Sequence, residues 1–130
     1  MYSTFLKESK NQISMAVKKG YNNCLETVIP VRDTLEVING KWKLQIIISL
    51  GFGNERFTDI QDSIDGLTPK VLAKELKDLE EHLLIKRIVI DDYPVKILYK
   101  LTPYAATLNP IILALKDWGI NHRKKIFNKE

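Results

Sequence analysis

The stretch Gly66-Leu67-Thr68-Pro69-Lys70-Val71-Leu72-Ala73-Lys74-Glu75-Leu76-Lys77-Asp78-Leu79-Glu80 decides how the rest of the chain is read. Thr68 followed by Pro69 is a helix-start signal. A threonine hydroxyl can cap the first turn, and proline fits a position where no N–H is needed. From there Leu72, Leu76, Leu79 and Leu83 recur at i, i+4, i+7 and i+11, which gathers them into one apolar stripe. Lys70, Lys74 and Lys77 keep a helical spacing of their own, on nearly the opposite side. One face can dock on a core while the other carries ammonium groups outward, the layout expected of a helix in a DNA major groove. A plainer helix fits the same spacing. Glu75, Asp78, Glu80 and Glu81 could pair with those lysines and leave an ordinary solvated face.

The neighbouring segments weigh toward the groove. Upstream, Arg56-Phe57 reads as extended, Thr58 as a cap, and Asp59 to Ser63 as a short helix with Ile60 and Ile64 apolar. Asp65-Gly66-Leu67 is the turn into the lysine-bearing helix, so the two helices form a helix-turn-helix pair. Downstream the period falls to two. Residues 85–90 and 95–101 alternate as two strands joined by Asp91-Asp92-Tyr93-Pro94. A two-stranded hairpin needs a surface to pack on, and the preceding helices supply it. The fold class this predicts is mainly α with a small antiparallel β hairpin: a winged helix-turn-helix with N- and C-terminal dimerisation helices.

Further out, Thr4 to Lys19 carries Phe5, Leu6, Ile13, Ala16 and Val17 in a helical pattern, Gly20 can stop it, and Tyr21-Asn22-Asn23 reads as a loop. Pro30 suits the first turn of a short helix from Val31 to Ile38, with Val31, Leu35 and Ile38 inward, closed by Asn39-Gly40. Lys41 to Leu50 resumes helix, burying Trp42, Leu44, Ile47 and Ile48, with Ile46 as a further candidate. After Thr102-Pro103 the chain is helical again, interrupted at Asn109-Pro110, and Leu108, Ile111, Ile112, Leu115 and Trp118 trace a stripe. That stripe, joined by Phe5 and Ile13, is the expected dimer surface. The whole reads as a single domain over 1–130: a leader and helix over 1–29, the winged core over 30–103, and a dimerisation helix over 104–130.

Composition narrows the function. The 130 residues are 45% hydrophobic and 28% charged, ordinary for a globular chain, and the net charge of +4 favours a polyanionic partner. One cysteine, Cys24, rules out an intramolecular disulfide framework and fits a reducing compartment. With no apolar leader and no run long enough to span a bilayer, the expected location is the cytoplasm, away from membranes. His82 and His122 have no nucleophile or carboxylate at a catalytic or metal-ligand spacing, and no glycine-rich phosphate loop occurs. An enzyme is not expected, nor a metal or cofactor.

Taken in order, Pro30-Val31, Leu35 to Ile38, Gly40-Lys41-Trp42, Arg56-Phe57-Thr58-Asp59-Ile60, Leu67-Thr68-Pro69-Lys70-Val71-Leu72, Leu76, Leu79-Glu80, Tyr99-Lys100-Leu101-Thr102-Pro103 and Trp118-Gly119 resemble the HxlR-type winged-helix regulators, relatives of the MarR type. The resemblance spans roughly residues 29–119. It implies a small bacterial homodimer that binds double-stranded operator DNA, often as a repressor, and responds to an electrophile, an oxidant or another small molecule. The family commonly has a cysteine directly before the Pro-Val pair. This chain has Ile29 there, which leaves Cys24 as the candidate sensor. A pocket near Trp42, Tyr104 or Trp118 is the competing trigger. The resemblance assigns DNA contact to Thr68, Pro69, Lys70, Val71, Lys74 and Lys77 on the helix, to Arg56 ahead of the pair, and to Arg87 and Lys96 flanking the wing. The acidic tip Asp91-Asp92 favours the alternative, a winged-helix interaction module that has lost DNA binding.

Overall fold

The computed structural model describes residues 21–128. The chain divides after Asn39 into two units. The expected helix from Thr4 to Lys19, with Phe5 and Ile13, lies outside the described residues.

The first unit contributes α1 (Tyr21–Ile38). Tyr21-Asn22-Asn23 is helical rather than a loop, and Pro30 lies inside the helix rather than in its first turn. Proline removes one N–H and crowds one carbonyl, a local penalty that the helical run on either side outweighs. Thr34 Oγ1 donates to the Pro30 carbonyl at 2.9 Å, one turn on. Of the three residues expected inward, only Ile38 is buried; Val31 and Leu35 are 53% and 56% exposed. Helical spacing fixes which side chains share a face, not what that face meets.

The second unit begins at Gly40, whose φ of +83° makes the expected turn at Asn39-Gly40. It runs α2 (Lys43–Gly51), α3 (Phe57–Ser63), α4 (Pro69–Glu81), β1 (Ile85–Ile90), β2 (Lys96–Leu101), a 3-10 helix (Pro103–Leu108) and α5 (Asn109–Asn128). β1 and β2 pair antiparallel, Ile85 opposite Leu101 through Ile90 opposite Lys96. Mostly helical with one two-stranded hairpin after a helix pair, this is the winged-helix arrangement.

The core is aliphatic. Ile46, Ile47 and Leu50 of α2 meet Ile60 and Ile64 at α3, Leu67 in the turn, Leu72, Leu76 and Leu79 of α4, then Leu84, Ile85, Ala105 and Leu108. Ile46 is the most deeply buried residue of α2, whereas Ile48 is exposed and Trp42 and Leu44 only half-buried. An all-apolar run such as Ile46-Ile47-Ile48 cannot indicate its own inward face; the docking of α3 and α4 selects it. Ser49 Oγ and Ser63 Oγ lie 2.6 Å apart and pin α2 to α3.

Two local expectations change. Arg56, extended at φ −91° and ψ 150°, occupies the cap position of α3, and Thr58 sits inside the helix. The Tyr99 N–H donates to the Glu55 carbonyl at 2.8 Å, so β2 holds the chain extended up to Arg56 and the helix starts directly after it. Leu83 is not part of the leucine stripe. α4 stops at Glu81, Leu83 takes a left-handed φ of +64° and is 69% exposed, and Leu84 goes inward instead. The Leu84 N–H donates to the Leu79 carbonyl and the Leu83 N–H to Glu80, the closing pair of a Schellman turn with leucine where glycine is usual. At the other end of the unit, the Thr102 hydroxyl accepts from the Ala105 N–H to cap the 3-10 helix, and Asn109-Pro110 restarts the chain as α5, as its sequence predicts.

A candidate nucleic-acid interface

Each part of the α4 surface follows from residue chemistry. Thr68 caps the helix, its hydroxyl accepting from the Val71 N–H at 3.3 Å, and Pro69 occupies the first turn. Leu72, Leu76 and Leu79 are at most 2% exposed and anchor the inner side. Lys70, Lys74 and Lys77 are exposed on the outer side, with Val71 half-buried between. The acidic residues of the same helix do not neutralise them. Among the described residues the ion pairs join Lys43 to Glu75 and Asp78, Lys96 to Asp92, and Lys100 to Glu55, and none takes Lys70, Lys74 or Lys77. The positive end of the helix dipole adds to that row at Thr68-Pro69.

The other expected contacts are less uniform. Arg56 is exposed, and the neighbouring Glu55 pairs with Lys100 at 3.6 Å. Arg87 is exposed on β1 opposite Tyr99. Lys96 lies 3.7 Å from Asp92, so one of the two tip carboxylates is offset from within the hairpin. The same Asp92 accepts the Tyr93 N–H at 3.0 Å, and the Tyr93 side chain stands fully in solvent.

Sequence reasoning missed Lys43. Its ammonium is buried, 2.6 Å from Glu75 Oε2 and 3.5 Å from Asp78 Oδ2. The signal was present: Glu75 falls between Leu72 and Leu79 on the side of the helix that packs inward, and a carboxylate there demands a cation. Burial works against the charged form of Lys43, but the close contact with the Glu75 carboxylate and the charges of Glu75 and Asp78 outweigh it. They hold its pKa above the ordinary 10.5. A raised folded-state pKa gives stability that is complete below the unfolded value and is lost as pH rises through the folded one. Thermal melts should therefore show this contribution constant through neutral pH and declining above 10.5. The apolar double variant Lys43→Met/Glu75→Met should lack that part of the decline.

The three aromatics considered for a pocket have different surroundings. Trp118 stacks on His122 at 4.6 Å, Lys41 lies over Trp42 at 4.7 Å, and Tyr104 borders a shallow depression beside Lys86 and Arg87. A larger open cleft of about 670 Å³ lies between α2, β2 and α5, lined by Leu44, Ile48, Phe52, Ile112 and Lys116 among others. Of the residues expected at a dimer surface, Leu108 is buried in the chain's own core. Ile111, Leu115 and Trp118 are 37–53% exposed on α5, a 20-residue helix with no buried residue, and Ile112 is half-buried. Cys24 is exposed in the first turn of α1.

Residues 37–127 match the sequence pattern of the HxlR-like helix-turn-helix family. The chain belongs to that family. It is similar to the HTH-type transcriptional regulator YtcD of Bacillus subtilis, 37% identical over 110 residues that span 85% of this chain and 82% of YtcD. YtfH of Escherichia coli, also an HTH-type regulator, is 30% identical over 83% of this chain and 86% of its own. Among solved structures, the redox regulator HypR in its reduced form superposes with a TM-score of 0.70 at 34% identity, covering 76% of this chain and 98% of HypR. Reduced YodB of B. subtilis gives 0.62 at 30% identity, over 67% and 85%. This HxlR-type chain is a winged-helix, DNA-binding transcriptional regulator and not an enzyme. No helix among its described residues is long and apolar enough to cross a membrane.

Proposed function

We propose that this HxlR-type regulator acts in the cytoplasm as a homodimeric repressor, laying α4 of each protomer into the major groove of a two-fold operator and leaving it on a chemical signal. The observation that carries the reading is the row Lys70, Lys74 and Lys77, exposed, taken by no carboxylate among the described residues, and backed by three buried leucines. Lys70, Val71 and Lys74 reach base edges, lysine to guanine acceptors and valine to thymine methyl. Thr68, Pro69, Lys77 and Arg56 meet phosphates, and Arg87 and Lys96 bring the wing to the neighbouring backbone.

One such helix gives weak, salt-sensitive binding, so useful affinity needs two copies spaced about one helical turn apart, or a multiple of it. The exposed apolar residues Ile111, Leu115 and Trp118 on α5 supply a surface for that pairing. The signal acts at Cys24, whose thiol is exposed. The structural relatives HypR and diamide-treated YodB make thiol chemistry the reading to test first.

A mobility-shift titration on the DNA upstream of the protein's own gene tests all three parts. The expected complex holds two chains per site, weakens as salt rises, and is released by diamide for the wild type but not for Cys24→Ser. A single chain per site contradicts the dimer, salt-independent binding contradicts the lysine contacts, and release of both proteins alike contradicts the sensor.

A further inference from the structure

We infer that Lys43 is a positioning residue for DNA recognition: anchored in α2, it fixes the rotation of α4 about its own axis through Glu75 and Asp78, and so sets where Lys70 and Lys74 point. The inference rests on α4 being the helix that reads DNA. Lys43 is 6% exposed, Glu75 is 9% exposed, and the two are 2.6 Å apart, with Asp78 at 3.5 Å on the next turn of the same helix. Lys74 is the chain neighbour of Glu75, and Lys77 of Asp78. The buried carboxylate of Glu75 and the half-buried one of Asp78 are therefore each adjacent to an ammonium group that faces outward.

Leucines alone leave this rotation loosely specified. Leu72, Leu76 and Leu79 bury the inner side, but apolar contacts are non-directional, and a helix can roll on them at little cost. With side chains reaching about 5–6 Å from the axis, a roll of about 20° moves their tips by about 2 Å. That is enough to break a hydrogen bond whose tolerance is a few tenths of an ångström. A buried ammonium shared between two carboxylates resists the roll in both directions, because either sense lengthens one of the pairs. Buried ion pairs contribute little net stability compared with apolar residues of the same volume. What this one adds is a fixed angle.

The test compares operator and non-operator DNA. Lys43→Met alone strands a buried carboxylate and can fail to fold, so the informative protein is Lys43→Met/Glu75→Met, which fills the same space without charge. It is expected to melt at or above the wild-type temperature and to bind non-operator DNA with unchanged affinity and salt dependence, since Lys70, Lys74 and Lys77 remain. Its operator affinity is expected to fall by about ten-fold or more, the scale of one mispositioned base contact. Lys43→Arg, which keeps a cation beside Glu75, is expected to retain most of the operator affinity. A purely structural role would move the melting temperature and leave the ratio of operator to non-operator affinity alone. An unchanged ratio in the apolar double variant overturns the inference. Lys70→Ala/Lys74→Ala, run alongside, separates the two failures. If it too leaves operator binding intact, the assignment of α4 falls and this inference with it; if it weakens binding while the apolar pair does not, only the role of Lys43 falls.

Discussion

Replacing Lys70 and Lys74 together by alanine lowers operator affinity by about 100-fold or more at physiological salt. The protein itself should stay folded. Both side chains are exposed, neither takes part in an ion pair among the described residues, and alanine is the best helix former. Both lysines reach base edges, so the loss should fall mainly on operator DNA, while the slope of log affinity against log salt, set by the phosphate contacts, should change little. Fluorescence anisotropy at several salt concentrations reads both quantities, and circular dichroism confirms the helix content. A folded double variant that keeps its operator affinity would mean that these lysines do not meet the bases.

The second large effect is on stability. Leu79 is fully buried, and Leu79→Ala should cost about 2–5 kcal/mol, as core leucine truncations do. For a small domain whose total stability is about 5–15 kcal/mol, that is enough to unfold a substantial fraction at working temperature. Leu83→Ala is the matched control. Leu83 follows the same sequence spacing but lies outside the helix and is 69% exposed, so its truncation should cost under about 0.5 kcal/mol. Chemical denaturation of the two variants side by side distinguishes a leucine that anchors α4 from one that only continues its pattern. Equal losses would place Leu83 in the core and contradict the helix end at Glu81.

Leu83 also shows how far the sequence could be read. Local chemistry marked the start of α4, because Thr68-Pro69 caps a helix whatever surrounds it, and the cap is formed. The end was hidden: a leucine in a left-handed C-terminal turn carries none of the signals that glycine would. The hairpin was legible from its alternation and from the turn residues between the strands, whereas the inward side of Ile46-Ile47-Ile48 was not, since three isoleucines in a row carry no phase. α1 was shortened in the reading because Asn22-Asn23 and Pro30 are turn and breaker residues by local preference, and a longer helical run overrode both.

At the interface the balance is similar. The exposed lysines were visible as a period, but whether the acids on the same helix neutralised them was not, because the answer lay 32 residues before Glu75, in Lys43. Burial of Glu75 among leucines was the one hint, and it also explains why the outer face keeps its charge: the inner carboxylate is consumed by α2. Leu108 belonged to the same stripe as Ile111 and Leu115 in the sequence, yet it closes the core, because the break at Asn109-Pro110 separates its 3-10 turn from α5.

The most direct test is a structure of the protein on its operator. The account predicts two copies of α4 in successive major grooves on one side of the duplex, with Lys70 or Lys74 Nζ within about 3.2 Å of a base-edge acceptor or a phosphate oxygen in each half-site. A complex in which α4 faces away from the DNA, or in which the paired protomers present it to opposite sides of the duplex, would contradict it.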